Sequence, residues 1–158
     1  MDSEDFIQTL RNLLANDATL RTLMGVTTVS NALRAIVYSD AIFSQKVDFF
    51  AYPMIAVRLD EDESTLRGSD SNTPSVTIII HNPAKNDGCV ITLNKIKDRL
   101  KLLMKDKHEA FNSQAVLLGH TLKVRDCTWV GATTYDDKTL GSERLHKIIC
   151  TCNFIVGD

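Results

Sequence analysis

Glycine and proline are scarce in this sequence, at 7 and 3 of 158 residues. That scarcity excludes a collagen-like repeat and, with 44% apolar residues, argues against a disordered low-complexity chain. No apolar run approaches the ~18 residues of a membrane span, so no membrane partner is expected. An excess of either charge is also missing. Lys and Arg total 18 against 20 Asp and Glu, giving a formal net charge of −2, and the bases are scattered among acids. Such a balance speaks against tight or sequence-specific DNA binding, which needs a basic face. Cys89, Cys127, Cys150 and Cys152 form no CxxC pair and have no histidine at ligand spacing. The zinc and thioredoxin patterns are therefore excluded, and reduced core thiols are the simplest account. The opening Met1-Asp2-Ser3-Glu4-Asp5 lacks the basic and apolar regions of a signal peptide, so the expectation is a protein made and assembled in a cytoplasm.

What is present is the length and patterning of one domain spanning 1–158, large enough to bury roughly 70% of its unfolded surface. Ser3 is placed to cap a helix in which Phe6, Ile7, Leu10, Leu13 and Leu14 share one face, ending near Asn16. Asp17 then caps a short second helix from Ala18 to Met24, stopped by Gly25. From Val26 to Tyr52 two readings stay open: a short strand at Ala35 to Tyr38, or a helix from Asn31 to Phe43.

Beyond Pro53, the alternation of Ile55, Val57 and Leu59 with Met54, Ala56 and Arg58 predicts a strand buried largely on one face. Asp60 to Pro74, acidic and then rich in Ser, Asp, Asn and Gly, has almost no apolar anchor and is expected to be a long exposed loop. Ser75 to His81 is β-branched and suits a central strand, with Asn82-Pro83 as its stop. Cys89, Leu93, Ile96, Leu100 and Leu103 recur at spacings of four and three, while Lys95, Lys97, Asp98, Lys101 and Lys105 fall mostly on the other face, which predicts the main helix. His108 to Gly119 reads as a connector. Thr121 to Val130 reads as a strand that changes phase at Arg125-Asp126, as a β-bulge would cause. After a polar connection at Asp136-Asp137-Lys138 and Gly141-Ser142, Ile148, Cys150, Cys152, Phe154 and Val156 line one face of a closing core strand. The expected fold is α+β: a largely antiparallel sheet of four to five strands covered by one long helix, with an N-terminal helical pair.

Catalytic chemistry has no support in local spacing. No nucleophile sits beside a base, and His81, His108, His120 and His146 lie far apart in sequence, so hydrogen-bonded or exposed imidazoles are expected. Asp60, Glu61, Asp62 and Glu63 miss the spacing of an EF-hand loop, and Gly119, Gly131 and Gly141 form no phosphate-binding pattern. The expectation is a protein that is not an enzyme, with no cofactor and no metal.

Four stretches carry a resemblance. They are LLANDATLRTLMG, AIVYSDAIFSQKVDFFAYPMIAVRL, SVTIIIHNP followed by ITLNKIKDRLKLLM, and the closing ERLHKIICTCNFIV. In layout the chain resembles the bacteriophage tail completion family, which includes tail terminators and head-to-tail joining subunits. Asp60 to Pro74 and the segment after Trp129 look longer than that pattern.

The resemblance implies a structural virion protein at the neck, a homo-oligomer closing as a six-membered ring on the tail tube protein. The ring would halt tube growth and present a surface to a head completion or connector protein. DNA would pass through the ring without sequence-specific binding, past acids that keep the lumen from holding a polyanion. Candidate lumen or interface loops on this reading carry Asp60, Glu61, Asp62, Glu63, Arg67, Asp136 and Asp137, whose plainer role is loop solubility. The alternative is an adaptor subunit of a tail-like secretion or delivery system, and a further one is an enzyme of unrecognised type.

Overall fold

The computed structural model describes residues 3–38, 53–60, 71–72, 74–83, 89–105, 108–137 and 145–157. Helix α1 (Ser3–Ala15) carries Glu4 and Asp5 in its first turn, where the exposed N–H groups favour negative charge, and it buries Phe6, Ile7, Leu10 and Leu14. Helix α2 (Ala18–Met24) starts at Asp17, whose carboxylate accepts the Leu20 N–H at 2.8 Å, and ends at Gly25 with φ 74°, a conformation that glycine adopts without strain. Helix α3 (Val29–Ala35), capped by the Thr28 hydroxyl, runs directly into strand β1 (Ile36–Tyr38). Over residues 29–38 the two readings share the chain, a helix first and then a short strand, so the helix read as far as Phe43 ends at Ala35; residues 39–52 lie outside the described residues. Arg11 fastens the junction, donating from Nε to the Ile36 carbonyl at 2.7 Å and from Nη2 to the Leu33 carbonyl at 2.8 Å.

The remaining strands are β2 (Met54–Asp60), β3 (Ser71–Asn72), β4 (Ser75–Pro83), β5 (Val124–Asp137) and β6 (Leu145–Gly157). They form one sheet in which β1, β2, β4, β6 and β5 follow in order, with β3 pairing the end of β6 just beyond β4. β1 pairs β2 in parallel, whereas the other ladders are antiparallel, so the sheet is mixed rather than antiparallel throughout. A helix leading straight into β1 sets that strand's direction, which no hydrophobic pattern reveals.

Several expectations need correction. β2 is sealed on both faces: Ile55 and Val57 join the main core, while Met54 and Ala56 form a second cluster with Ile79 on the opposite side. β4 ends at Pro83 as expected, but it takes in Asn82 and Pro83 as its last two residues, Pro83 registering with Leu145 at the strand end, where a missing N–H costs least. Ser71 and Asn72, expected in a loop, pair with Gly157 and Val156. Asp136 and Asp137, expected in a polar connection, are the last two residues of β5, opposite His146 and Leu145.

The sheet is covered by more than one long helix. The main helix, α4 (Cys89–Met104), lies where expected and buries Leu93, Ile96, Leu100 and Met104. The segment expected as a connector forms a further helix, α5 (His108–Leu117). Its Phe111 ring lies 5.1 Å from Phe6 and 5.8 Å from Phe154, and Phe6 meets Phe154 edge-on at 5.1 Å. Three aromatic rings from α1, α5 and β6 thus close one end of the core. On the same face of the sheet, α2 is tied to α4 by Arg99, which donates to both carboxylate oxygens of Asp17 at 2.6 and 2.9 Å.

Candidate interaction surface at the open sheet edge

β5 pairs with β6 along one side, and no strand pairs its other side among the described residues. Its inward residues follow from the alternation of the sequence once two irregularities are allowed. The ladder shifts register between Val124 and Asp126, the phase change expected there, and again between Trp129 and Gly131. The first shift keeps Val124, Cys127 and Trp129 directed at the core, and the second leaves Val130 57% exposed. Bulges of this kind also guard an edge against uncontrolled pairing.

An open groove of about 570 Å³ runs between β5 and α4. On the helix side it is lined by Lys97 and Lys101 of α4 and by Lys105, whose N–H bonds the Lys101 carbonyl just past the helix end; their i, i+4, i+8 spacing places all three on one side. Trp129 forms part of the wall, and Asp98 and Asp126 sit on the rim. Lys97 leans on Asp98 at 3.4 Å and on the Asn94 side chain at 3.4 Å. Lys101 and Lys105 are exposed and have no ion-pair partner among the described residues. The groove therefore offers a partly buried indole beside a row of ammonium groups. That combination suits an extended, acidic protein segment. The lysine row was visible in the sequence as the polar side of the main helix, but nothing there told that the open strand runs beside it.

The acids singled out in the sequence are not gathered by the fold. Asp60 ends β2, where its carboxylate accepts from Arg58 Nε at 2.7 Å and from the Thr77 hydroxyl at 2.6 Å. It lies in a transverse row with Ser75, Asn153 and Thr128, while Asp137 registers with Leu145 and through it with Pro83. Eight residues of β4 separate those rows, roughly 26 Å along the strand. Asp60 and Asp136-Asp137 thus mark opposite ends of the sheet. Glu61, Asp62, Glu63 and Arg67 lie outside the described residues.

The core thiols are poor nucleophiles. Burial pushes the Cys150 thiol up to about 12 despite the opposing field of Lys97, and burial raises Cys152 further, with Cys127 and Cys150 adding to the effect. No group of three or more His, Cys, Asp or Glu that could hold a metal ion occurs among the described residues. Of the histidines, His81 is buried in the central strand, where exposure had been one expectation. His120 joins the α5–β5 turn to α1, with Nε2 2.9 Å from Gln8 Oε1 and Nδ1 3.1 Å from Asp5 Oδ1. No helix is long and apolar enough to cross a membrane among the described residues.

Comparison with protein-family models finds none that matches this chain, and comparison with curated proteins finds no match either.

Proposed function

We propose that the chain is a structural virion subunit, a tail terminator or head-to-tail joining protein, that closes into a six-membered ring on the end of a phage tail tube. The observation that carries this reading is the long outer edge of β5 beside the lysine-lined groove. A ring of identical copies needs two different patches on each subunit, one meeting the neighbour on each side. The β5 edge with its groove supplies one patch. The resemblance of the element order to tail completion proteins supplies the ring and its place at the neck, between tube and head connector.

The mechanism is mechanical rather than chemical. Each subunit buries surface against its neighbours, more than about 1,000 Å² for a stable contact, and the closed ring covers the growing end of the tube so that no further tube subunit adds. Exposed apolar side chains away from the groove, Val116 and Leu117 at the end of α5 and Ile91 and Leu102 on α4, are surface that such contacts would cover. The test is negative-stain imaging of the purified protein at micromolar concentration. Closed annular particles with six-fold averages support the reading, and a uniform field of small globular particles refutes it.

A further inference from the structure

Resting on that ring reading, we infer that the groove between α4 and β5 receives the acidic segment Asp60 to Glu63 of a second copy, so that the run of acids is an intersubunit plug rather than a lumen lining. The groove's charge is set by Lys97, Lys101 and Lys105 against Asp98 and Asp126, which leaves it net basic. Lys97 is already engaged by Asp98. The ammonium groups offered to a partner are therefore those of Lys101 and Lys105.

The sequence contains one run of four consecutive acids, Asp60-Glu61-Asp62-Glu63. The Asp60 carboxylate is held within its own subunit by Arg58 and Thr77, so the charge proposed to enter the groove is that of Glu61, Asp62 and Glu63. The register bulge at Trp129 and Gly131 interrupts the ladder in the middle of the groove, so recognition rests on charge and on the indole face more than on strand addition.

Geometry directs the contact between copies. Asp60 stands in register with Ser75, Asn153 and Thr128, placing it three strand spacings from β5. At about 4.8 Å per spacing that is about 14 Å. Three residues beyond Asp60 extend the backbone about 10 Å at most, short of the β5 wall of the groove that Trp129 forms. A neighbouring copy has no such limit, and a groove at one edge meeting a segment from another strand end is the head-to-tail relation that a closed ring requires.

The experiment is charge reversal of each surface, read by light scattering with circular dichroism as the folding control. One variant carries Lys101→Glu and Lys105→Glu, the other Glu61→Lys, Asp62→Lys and Glu63→Lys. Each alone sets like charges against each other, and the concentration needed for half-assembly should rise at least about tenfold. An equimolar mixture again pairs opposite signs at every contact and should regain the wild-type mass, which an intrachain contact cannot do. Raising salt should weaken wild-type assembly in the same direction. Variants that assemble as the wild type does, or a mixture that stays dissociated, overturn the plug while leaving the ring in place. A wild-type chain that is monomeric at every concentration overturns both.

Discussion

Replacing Asp17 with alanine should cost about 3 kcal/mol of stability, because that one carboxylate does two jobs. It caps α2 through the Leu20 N–H, a contact whose loss typically costs about 1 kcal/mol. It also holds Arg99 of α4 in a two-pronged ion pair, with side-chain exposures of 13% for Asp17 and 29% for Arg99. Hydrogen bonds to charged groups in such partly buried sites contribute about 1.5–3 kcal/mol. Arg99 chiefly, then the Leu20 N–H, holds the Asp17 carboxyl below the usual range against the opposing effect of burial, and Asp17 in turn raises Arg99. A depressed carboxyl contributes stability that is fully present above its unfolded value, near 3.8, and is lost as the pH falls through its lower folded value. The assay is thermal unfolding of the wild type, Asp17→Ala and Asp17→Asn. Asparagine can still cap, so Asp17→Asn isolates the ionic part and should lose about 1–2 kcal/mol at pH 7. Asp17→Ala should lower Tm by about 6–12 °C. The gap between the wild type and Asp17→Asn should close as the pH drops below 3.8. An Asp17→Asn protein as stable as the wild type at pH 7, or a gap that persists in acid, would refute the reasoning.

Phe111→Ala should cost about 3–5 kcal/mol in denaturant unfolding, since the ring is buried between Phe6 and Phe154, and a loss under 1 kcal/mol would mean that α5 is not docked as described. With the Cys150 thiol pushed up to about 12 from an unfolded value near 9, the unfolded chain sheds thiol protons that the native chain keeps. Stability should therefore fall as the pH rises above 9, and a melting series in which the Cys150→Ala slope matches the wild-type slope would contradict this.

How much of this was legible in the sequence follows from which signals are local. α1, α2, α4 and the core face of β6 were readable because each carries a full apolar period with a stop or cap, such as Asp17 and Gly25. The first bulge of β5 was readable as a phase change. α5 was not, since only Phe111 and Ala115 point inward while Val116 and Leu117 stay exposed, which blurs the helical period. The parallel β1–β2 pairing and the burial of both faces of β2 depend on partners distant in sequence. The same holds for the surface: the lysine row of α4 was visible, whereas its place beside the open edge of β5 is a property of the folded sheet. The acids drew notice as charge, yet register places Asp60 and Asp137 at opposite ends, so they cannot act as one cluster.

The ring is the central claim, and the mass of the purified protein in solution, measured by light scattering across a concentration series, tests it most directly. Six copies of a 17.6 kDa chain give about 106 kDa. A species at that mass that gains population with concentration and goes no higher is the predicted result. A mass of 17.6 kDa throughout, or open-ended growth without a plateau, would contradict the closed ring.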